Sequence, residues 1–150
     1  MTHRWLIGTG MVLALAATLA LMAGGAPASL AENGIIYVDA DAPGPTHDGT
    51  TWEYAFTDLQ DALDHAAVYD GIWVATGTYT PTWQFDAGDP RSASFQMLNG
   101  VVIYGGFDPS AGATEWEHRD WVNNVTILSG NIGDEDRSDD NSYHVWYNPL

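Results

Sequence analysis

Three short segments of this chain have nearly the same pattern. They cover residues 70–77, 99–106 and 123–130, and each begins with Asp or Asn, continues through a β-branched or aromatic run and ends at glycine. Their starting points lie about 29 and 24 residues apart, a spacing typical of stacked repeats. A single unit of this kind cannot bury its own apolar face and needs neighbours above and below it. The pattern therefore predicts a solenoid of parallel strands rather than a compact enzyme domain.

The N-terminus has the pattern of a secretory signal peptide. Residues 1–31 contain a basic start, an apolar run from Leu6 to Ala23, and small residues up to Ala31. We predict cleavage after Ala31, a mature domain at 32–150, and a secreted or cell-surface protein. The apolar run is also close to the length of a membrane span, so a retained N-terminal anchor is the alternative. We expect no membrane contact apart from this segment.

The charge of the chain excludes several partners. It carries 20 acidic residues against four arginines and no lysine, which gives a formal net charge of −16. Binding to nucleic acid or anionic lipid depends on clustered Lys and Arg, so neither is expected. Cysteine is absent from the sequence, which excludes disulfides and thiol chemistry.

The mature chain is predicted to contain one helix among short strands. Apolar residues at helical spacing and a Thr57–Gln60 capping box predict a helix over 57–69, which Gly71 ends. We interpret this helix as a cap over one end of the solenoid. The predicted strands are 35–38, 72–75, 94–98, 101–104, 125–128 and 143–147. The last of them leaves an unpaired edge, so the sequence is interpreted as the truncated N-terminal part of a longer fold.

Asn99-Gly100, between two apolar runs, has two interpretations. Such a dipeptide is a strong signal for a tight antiparallel hairpin. It also suits the corner between two strands of one solenoid coil, and the repeat context favours the corner.

The order of these motifs resembles the N-terminal region of bacterial right-handed parallel β-helix proteins, which are pectate-lyase-like surface or secreted proteins often grouped with polymorphic outer-membrane proteins. The segments that carry the resemblance are 36–39, 58–63, 71–79, 98–107, 126–133 and 140–145. It covers almost the whole mature chain and implies an all-β, right-handed parallel β-helix with an α-helical cap. It does not select a function, because this superfamily includes lyases, hydrolases, esterases and non-catalytic surface proteins.

No catalytic residue is predicted. The resemblance implies that lyases of this fold use Asp-bound calcium with a basic residue as proton acceptor, but the chain has no lysine. Its mature arginines, Arg91, Arg119 and Arg137, lie in predicted loops, and Arg137 is more simply a partner for its acidic neighbours. The paired Asp139 and Asp140 superficially resemble a hydrolase motif, without the basic and histidine motifs that accompany it.

The acidic loops are candidate metal sites. Carboxylates are preferred ligands of calcium in exported proteins, and the predicted calcium ligands are Asp134, Asp136, Asp139 and Asp140. Their spacing does not match an EF-hand loop. Asp39, Asp41 and Asp48 form a second, sparser set, and solvation of a saline-exposed surface is the simpler interpretation of both.

Tryptophans in predicted loops are candidate glycan contacts. Trp83 and Trp116 are predicted to stack on sugars, with Trp121 in a similar position; the alternative is that these rings fold back onto the protein. The sequence thus predicts an exported, non-catalytic β-helix surface or matrix protein whose partner is a polysaccharide or cell-surface glycan. The alternative is the N-terminal fragment of a polysaccharide lyase or glycoside hydrolase with its catalytic residues downstream.

Overall fold

The computed structural model describes residues 34–68 and 70–148, so the predicted signal peptide lies outside the described residues. In this part of the chain one α-helix and seven short strands are connected by long loops. None of its helices is long and apolar enough to cross a membrane. The elements are β1 (Ile35–Val38), α1 (Leu59–His65), β2 (Gly71–Ala75), β3 (Gly77–Tyr79), β4 (Phe95–Gln96), β5 (Val102–Phe107), β6 (Thr126–Leu128) and β7 (Trp146–Tyr147).

The strands form three small sheets, and every strand pair is parallel. Sheet A has the order β1-β2-β5, sheet B pairs β3 with β6, and sheet C pairs β4 with β7. From β2 onward the chain passes through sheets A, B and C and then through A, B and C again. Parallel strands need a long crossover, and here the loops through the other two sheets supply it. No sheet closes on itself, and the right-handed parallel β-helix stays a prediction.

The core lies between the three sheets and the helix. In sheet A, Ile36, Ile72 and Ile103 are aligned by the strand register, and alternate residues of β1 and β2 are buried. This alternation follows from the two-residue period of a strand. The other buried members of the cluster are Val38, Phe56, Leu59, Ala62, Leu63, Val74, Tyr79, Phe95 and Val101.

Helix α1 covers the free edge of β4. Asp58 is its N-cap and accepts a hydrogen bond from the backbone N–H of Gln60 at 2.7 Å. The Gln60 side chain is buried, and its Oε1 accepts the backbone N–H of Gln96 at 3.0 Å. A helix side chain therefore takes the hydrogen bond that a neighbouring strand would provide.

The outer edge of β1 is covered by the loop that follows it. Tyr37 donates its N–H to the carbonyl of Gly49 and accepts the N–H of Phe56 at 2.9 Å. Phe56 also accepts the N–H of Asp39, which makes an isolated parallel bridge beside β1. Together with α1 this loop closes one end of the core against further strand pairing.

The opposite end of the core is open. Within the described residues no strand pairs with the outer edges of β5, β6 and β7. An open cavity of about 430 Å³ lies between these strands, lined by Val102, Ile103, Leu128 and Trp146 among others.

The predicted helix was too long at both ends. It begins at Leu59 and ends at His65, with Asp58 rather than Thr57 as the capping residue. Phe56, directly before the predicted helix, pairs with β1. Gly71 begins β2 and does not end the helix, whose C-cap is Ala66.

The three similar segments are not structurally equivalent. The first two supply β2 and β5, which pair with each other in sheet A, whereas the third supplies β6 in sheet B. An Asx residue, a β-branched run and a glycine specify a strand followed by a corner, and they carry no information about which sheet the strand joins. Asn99-Gly100 does not form an antiparallel hairpin, because β4 and β5 belong to different sheets. The corner of a solenoid coil stays a prediction.

Candidate functional site

The predicted calcium ligands lie together in one exposed loop, where three of them already accept hydrogen bonds. Arg137 donates to both carboxylate oxygens of Asp139, at 2.9 and 2.6 Å, and this contact holds the pKa of Asp139 below its usual value. Asp140 Oδ2 accepts the backbone N–H of Asp134 at 2.9 Å, and Asp134 Oδ1 accepts that of Asp136 at 3.1 Å. Across residues 34–68 and 70–148, no three Asp, Glu or His side chains are grouped so that they could hold a metal ion.

The same loop contains three buried oxygen atoms for which the described residues supply no hydrogen-bond partner. They are Oδ1 of Asn131, Oδ1 of Asp140 and Oδ1 of Asn141. A buried acceptor without a donor costs about 1–3 kcal/mol, so three in one loop need an explanation. Two of them, in Asn131 and Asn141, are amide oxygens, which can bind a cation as carboxylates do.

The predicted glycan-contacting tryptophans pack mainly against other side chains. Trp83 stacks on Tyr147 with the ring centroids 5.9 Å apart. Trp116 is 44% exposed, and the Arg119 guanidinium lies 4.4 Å from its ring centroid. Trp121, which is 71% exposed, is the more accessible ring. Trp83 and Trp116 therefore have neighbours on at least one side, and their contact with glycans stays a prediction.

A cleft lies where the strands of sheet A end. Asp39 directly follows β1, Thr76 follows β2 and Asp108 follows β5. Because the three strands are parallel and adjacent, their carboxyl ends reach the same edge of the sheet and these side chains line one cavity. Its volume is about 460 Å³, within the range of roughly 300–1,000 Å³ that small-molecule sites occupy. We call this cavity the acidic cleft; its lining residues are Asp39, Asp41, Pro43, Trp52, Glu53, Ala75, Thr76, Asp108, Pro109, Ser110 and Thr114.

Trp52 connects the two walls of the acidic cleft. Its indole Nε1 donates to the backbone carbonyl of Thr114 at 3.0 Å, across 62 residues of sequence. Its ring packs against Tyr37, with centroids 4.8 Å apart, and against Phe107 at 5.3 Å. The ring is thus fixed in place by aromatic contacts and one hydrogen bond, which makes it a rigid apolar surface in the cleft.

The carboxylates of the acidic cleft differ in their proton affinity. Burial raises the pKa of Asp39, and the nearby charges of Asp41 and Asp108 raise it further. The pKa of Asp108 is lowered, because its Oδ1 accepts the hydroxyl of Ser110 at 2.7 Å and the N–H of Ala111 at 3.1 Å. Divergent pKa values within one cleft are a common property of functional sites.

The sequence predicted part of this cleft for a different reason. Asp39 and Asp41 were predicted, together with Asp48, as a sparse set of metal ligands. Asp48 does not line the cleft, and its Oδ1 accepts the hydroxyl of Thr50 at 2.7 Å. Trp52 and Asp108 were missed, because they are distant in sequence and only the sheet A register brings them together. An acid that directly follows a strand, as Asp39 and Asp108 do, was the available signal.

Comparison with known proteins does not assign the chain to a family. No protein-family model, curated protein or solved structure matches the chain.

The opposite pKa shifts of Asp39 and Asp108 predict opposite effects on stability. Asp39 binds its proton more tightly in the folded state, so ionising it costs stability as the pH rises from its ordinary pKa through the raised one. Asp108 is the reverse case, because its ionised form stabilises the fold and this contribution is lost as the pH falls through the lowered pKa. We expect the change in melting temperature caused by Asp39→Asn to become more positive between about pH 3 and pH 7, and that caused by Asp108→Asn to become more negative.

Thermal denaturation of both variants and of the unsubstituted chain at the two pH values measures these changes. Equal trends for the two variants would contradict the electrostatic description of the cleft.

Proposed function

We propose that this chain is the capped N-terminal part of an exported, non-catalytic right-handed parallel β-helix protein of the cell surface or matrix, and that it contacts glycans through the acidic cleft. The order in which the chain returns to each sheet supports the fold. The leader pattern at residues 1–31 supports export. The glycan contact is the functional part of the proposal.

The observation that carries the glycan contact is the combination of Trp52 with carboxylates in one cavity. A sugar ring has apolar C–H faces that pack on an aromatic surface, and its hydroxyl groups donate hydrogen bonds. Hydrogen bonds to an ionised acceptor such as Asp108 are roughly twice as strong as neutral ones. Thr76 and Ser110 add hydroxyl groups that both donate and accept. The cleft therefore offers the two kinds of contact that a glycan needs, and its charge disfavours uronic acids.

We expect binding to oligosaccharides to depend on Trp52. In a panel of neutral, amino and uronic-acid oligosaccharides, neutral or amino sugars should bind, and Trp52→Ala should weaken that binding at least about tenfold, since it removes the packing surface. Isothermal titration calorimetry measures the affinities. Trp121→Ala is the matched control, because Trp121 is highly exposed and does not line the cleft.

Because Trp52 also packs inside the structure, Asp41→Asn provides a second, less disruptive variant of the same cleft. Binding that survives both substitutions, or a panel in which nothing binds, would contradict the proposal.

A second candidate function is hydrolysis of a glycan by the same cleft. The observation in its favour is the raised pKa of Asp39 beside the lowered pKa of Asp108, since a proton donor and an ionised base are the pair that glycoside hydrolysis uses. If incubation of the chain with the oligosaccharide panel produces new reducing ends, and Asp39→Asn abolishes them, the hydrolase is favoured. Binding without product favours the surface protein.

We also propose that calcium binds in the loop at 131–141. The support is the set of unpartnered oxygens of Asn131, Asp140 and Asn141, because calcium takes oxygen ligands from carboxylates and amides alike. These ligands differ from the four aspartates predicted from the sequence, of which Asp140 alone is retained. Arg91 supports the loop through its Nε, which donates to the Asn141 carbonyl at 2.8 Å.

Calcium at millimolar concentration should raise the melting temperature of the chain, because a ligand that binds the folded state stabilises it by mass action. The rise should disappear in Asp140→Ala and persist in the matched control Asp136→Ala, whose exposed carboxylate lies in the same loop. Differential scanning fluorimetry measures the shift in melting temperature, with magnesium at the same concentration as the comparison ion. No response to calcium, or equal loss in both variants, would refute the site.

A further inference from the structure

The acidic cleft is negatively charged without a compensating positive charge. Asp39, Asp41, Glu53 and Asp108 line it, and among the described residues that form its walls none is basic. Like charges in a partly enclosed cavity raise one another's energy. Burial raises the pKa of Asp39, and the charges of Asp41 and Asp108 raise it further. A cavity of this kind concentrates positive ligands and repels negative ones.

The arrangement does not suit a single metal ion. A metal needs several ligand atoms around one point, and the cleft carboxylates do not form such a group in the described part of the chain. Instead they are distributed around a cavity of about 460 Å³, which has room for an organic ligand with separated donors.

The aromatic wall also favours a cation. Trp52 is held rigidly by Thr114, Tyr37 and Phe107. A ligand that packs on its indole face therefore causes little further loss of side-chain entropy. Trp provides the strongest of the side-chain surfaces for a nearby ammonium group. An aromatic face beside spread carboxylates thus matches a ligand with both an apolar ring face and a positive charge.

We infer that the acidic cleft selects glycans with free, protonated amino groups, of the glucosamine type, over their N-acetylated counterparts. This inference rests on the proposed glycan contact and names its ligand class. The ammonium group supplies three donors, which form charge-assisted hydrogen bonds with the carboxylates. Acetylation removes the charge and two of those donors and adds bulk, whereas the ring face that packs on Trp52 is unchanged.

The test compares two ligands that differ in the acetyl group alone. A glucosamine tetramer and an N-acetylglucosamine tetramer are titrated into the chain by calorimetry at about pH 5, where the amino groups are protonated and ordinary carboxyl groups are ionised. We expect the glucosamine tetramer to bind at least about tenfold more tightly. Glu53→Gln, at an exposed position of the cleft wall, should reduce this preference severalfold, because it weakens the binding of the charged tetramer more than that of the acetylated one.

The control separates the cleft from the charge of the whole molecule. Asp136→Asn removes the same single charge from an exposed loop position that does not line the cleft, so the preference should persist. Equal loss in the two variants would overturn the inference, because it would indicate unspecific attraction to a chain of net charge −16. Equal affinity for both tetramers would also overturn it and leave the proposed glycan contact standing. If neither tetramer nor any neutral oligosaccharide binds, the proposed function itself is wrong.

Discussion

The hydrogen-bonded register of β1, β2 and β5 determines where the rest of the molecule lies. It aligns Ile36, Ile72 and Ile103 toward the core. On the other side it aligns Tyr37, Trp73 and Tyr104, which begin the aromatic layer that holds Trp52. A slip of one residue would exchange these two faces, since side chains alternate along a strand. The same register brings the residues after each strand to one edge and so creates the acidic cleft.

The two ends of the core differ, because one is covered and the other is open. At one end, the loop up to Phe56 pairs with β1, and Gln60 of α1 completes the hydrogen bonding of β4. At the other end, β5, β6 and β7 have no strand beside them in the described part of the chain. The acidic cleft lies beside the covered end, because Trp52 and Glu53 belong to the covering loop. The loop after β1 therefore covers this end of the core and also supplies one wall of the acidic cleft, whose other wall follows β5.

Local features were predictable from the sequence, whereas their assembly was not. β1 agrees with its predicted bounds, because strand composition acts over a few positions, and Asn99-Gly100 separates two strands that do not pair with each other. The sheet that the third similar segment joins was not predictable, because β6 pairs with β3 across about 49 residues. The cleft was missed for the same reason, since Trp52 and Thr114 meet only after the sheets have formed. The loop for which calcium binding is proposed was chosen from the sequence by its acids, whereas its amide oxygens carry no distinctive spacing.

The return of the chain to sheet B tests the winding most directly. Thr78 and Ile127 are exposed, in register on neighbouring parallel strands, and far apart in sequence. Because the chain has no cysteine, Thr78→Cys and Ile127→Cys can each carry a nitroxide label without interference. Neighbouring strands lie about 5 Å apart, so the doubly labelled chain should give a strongly broadened electron paramagnetic resonance spectrum. A spectrum equal to the sum of the two singly labelled chains would contradict the pairing of β3 with β6 and, with it, the repeated passage of the chain through the three sheets.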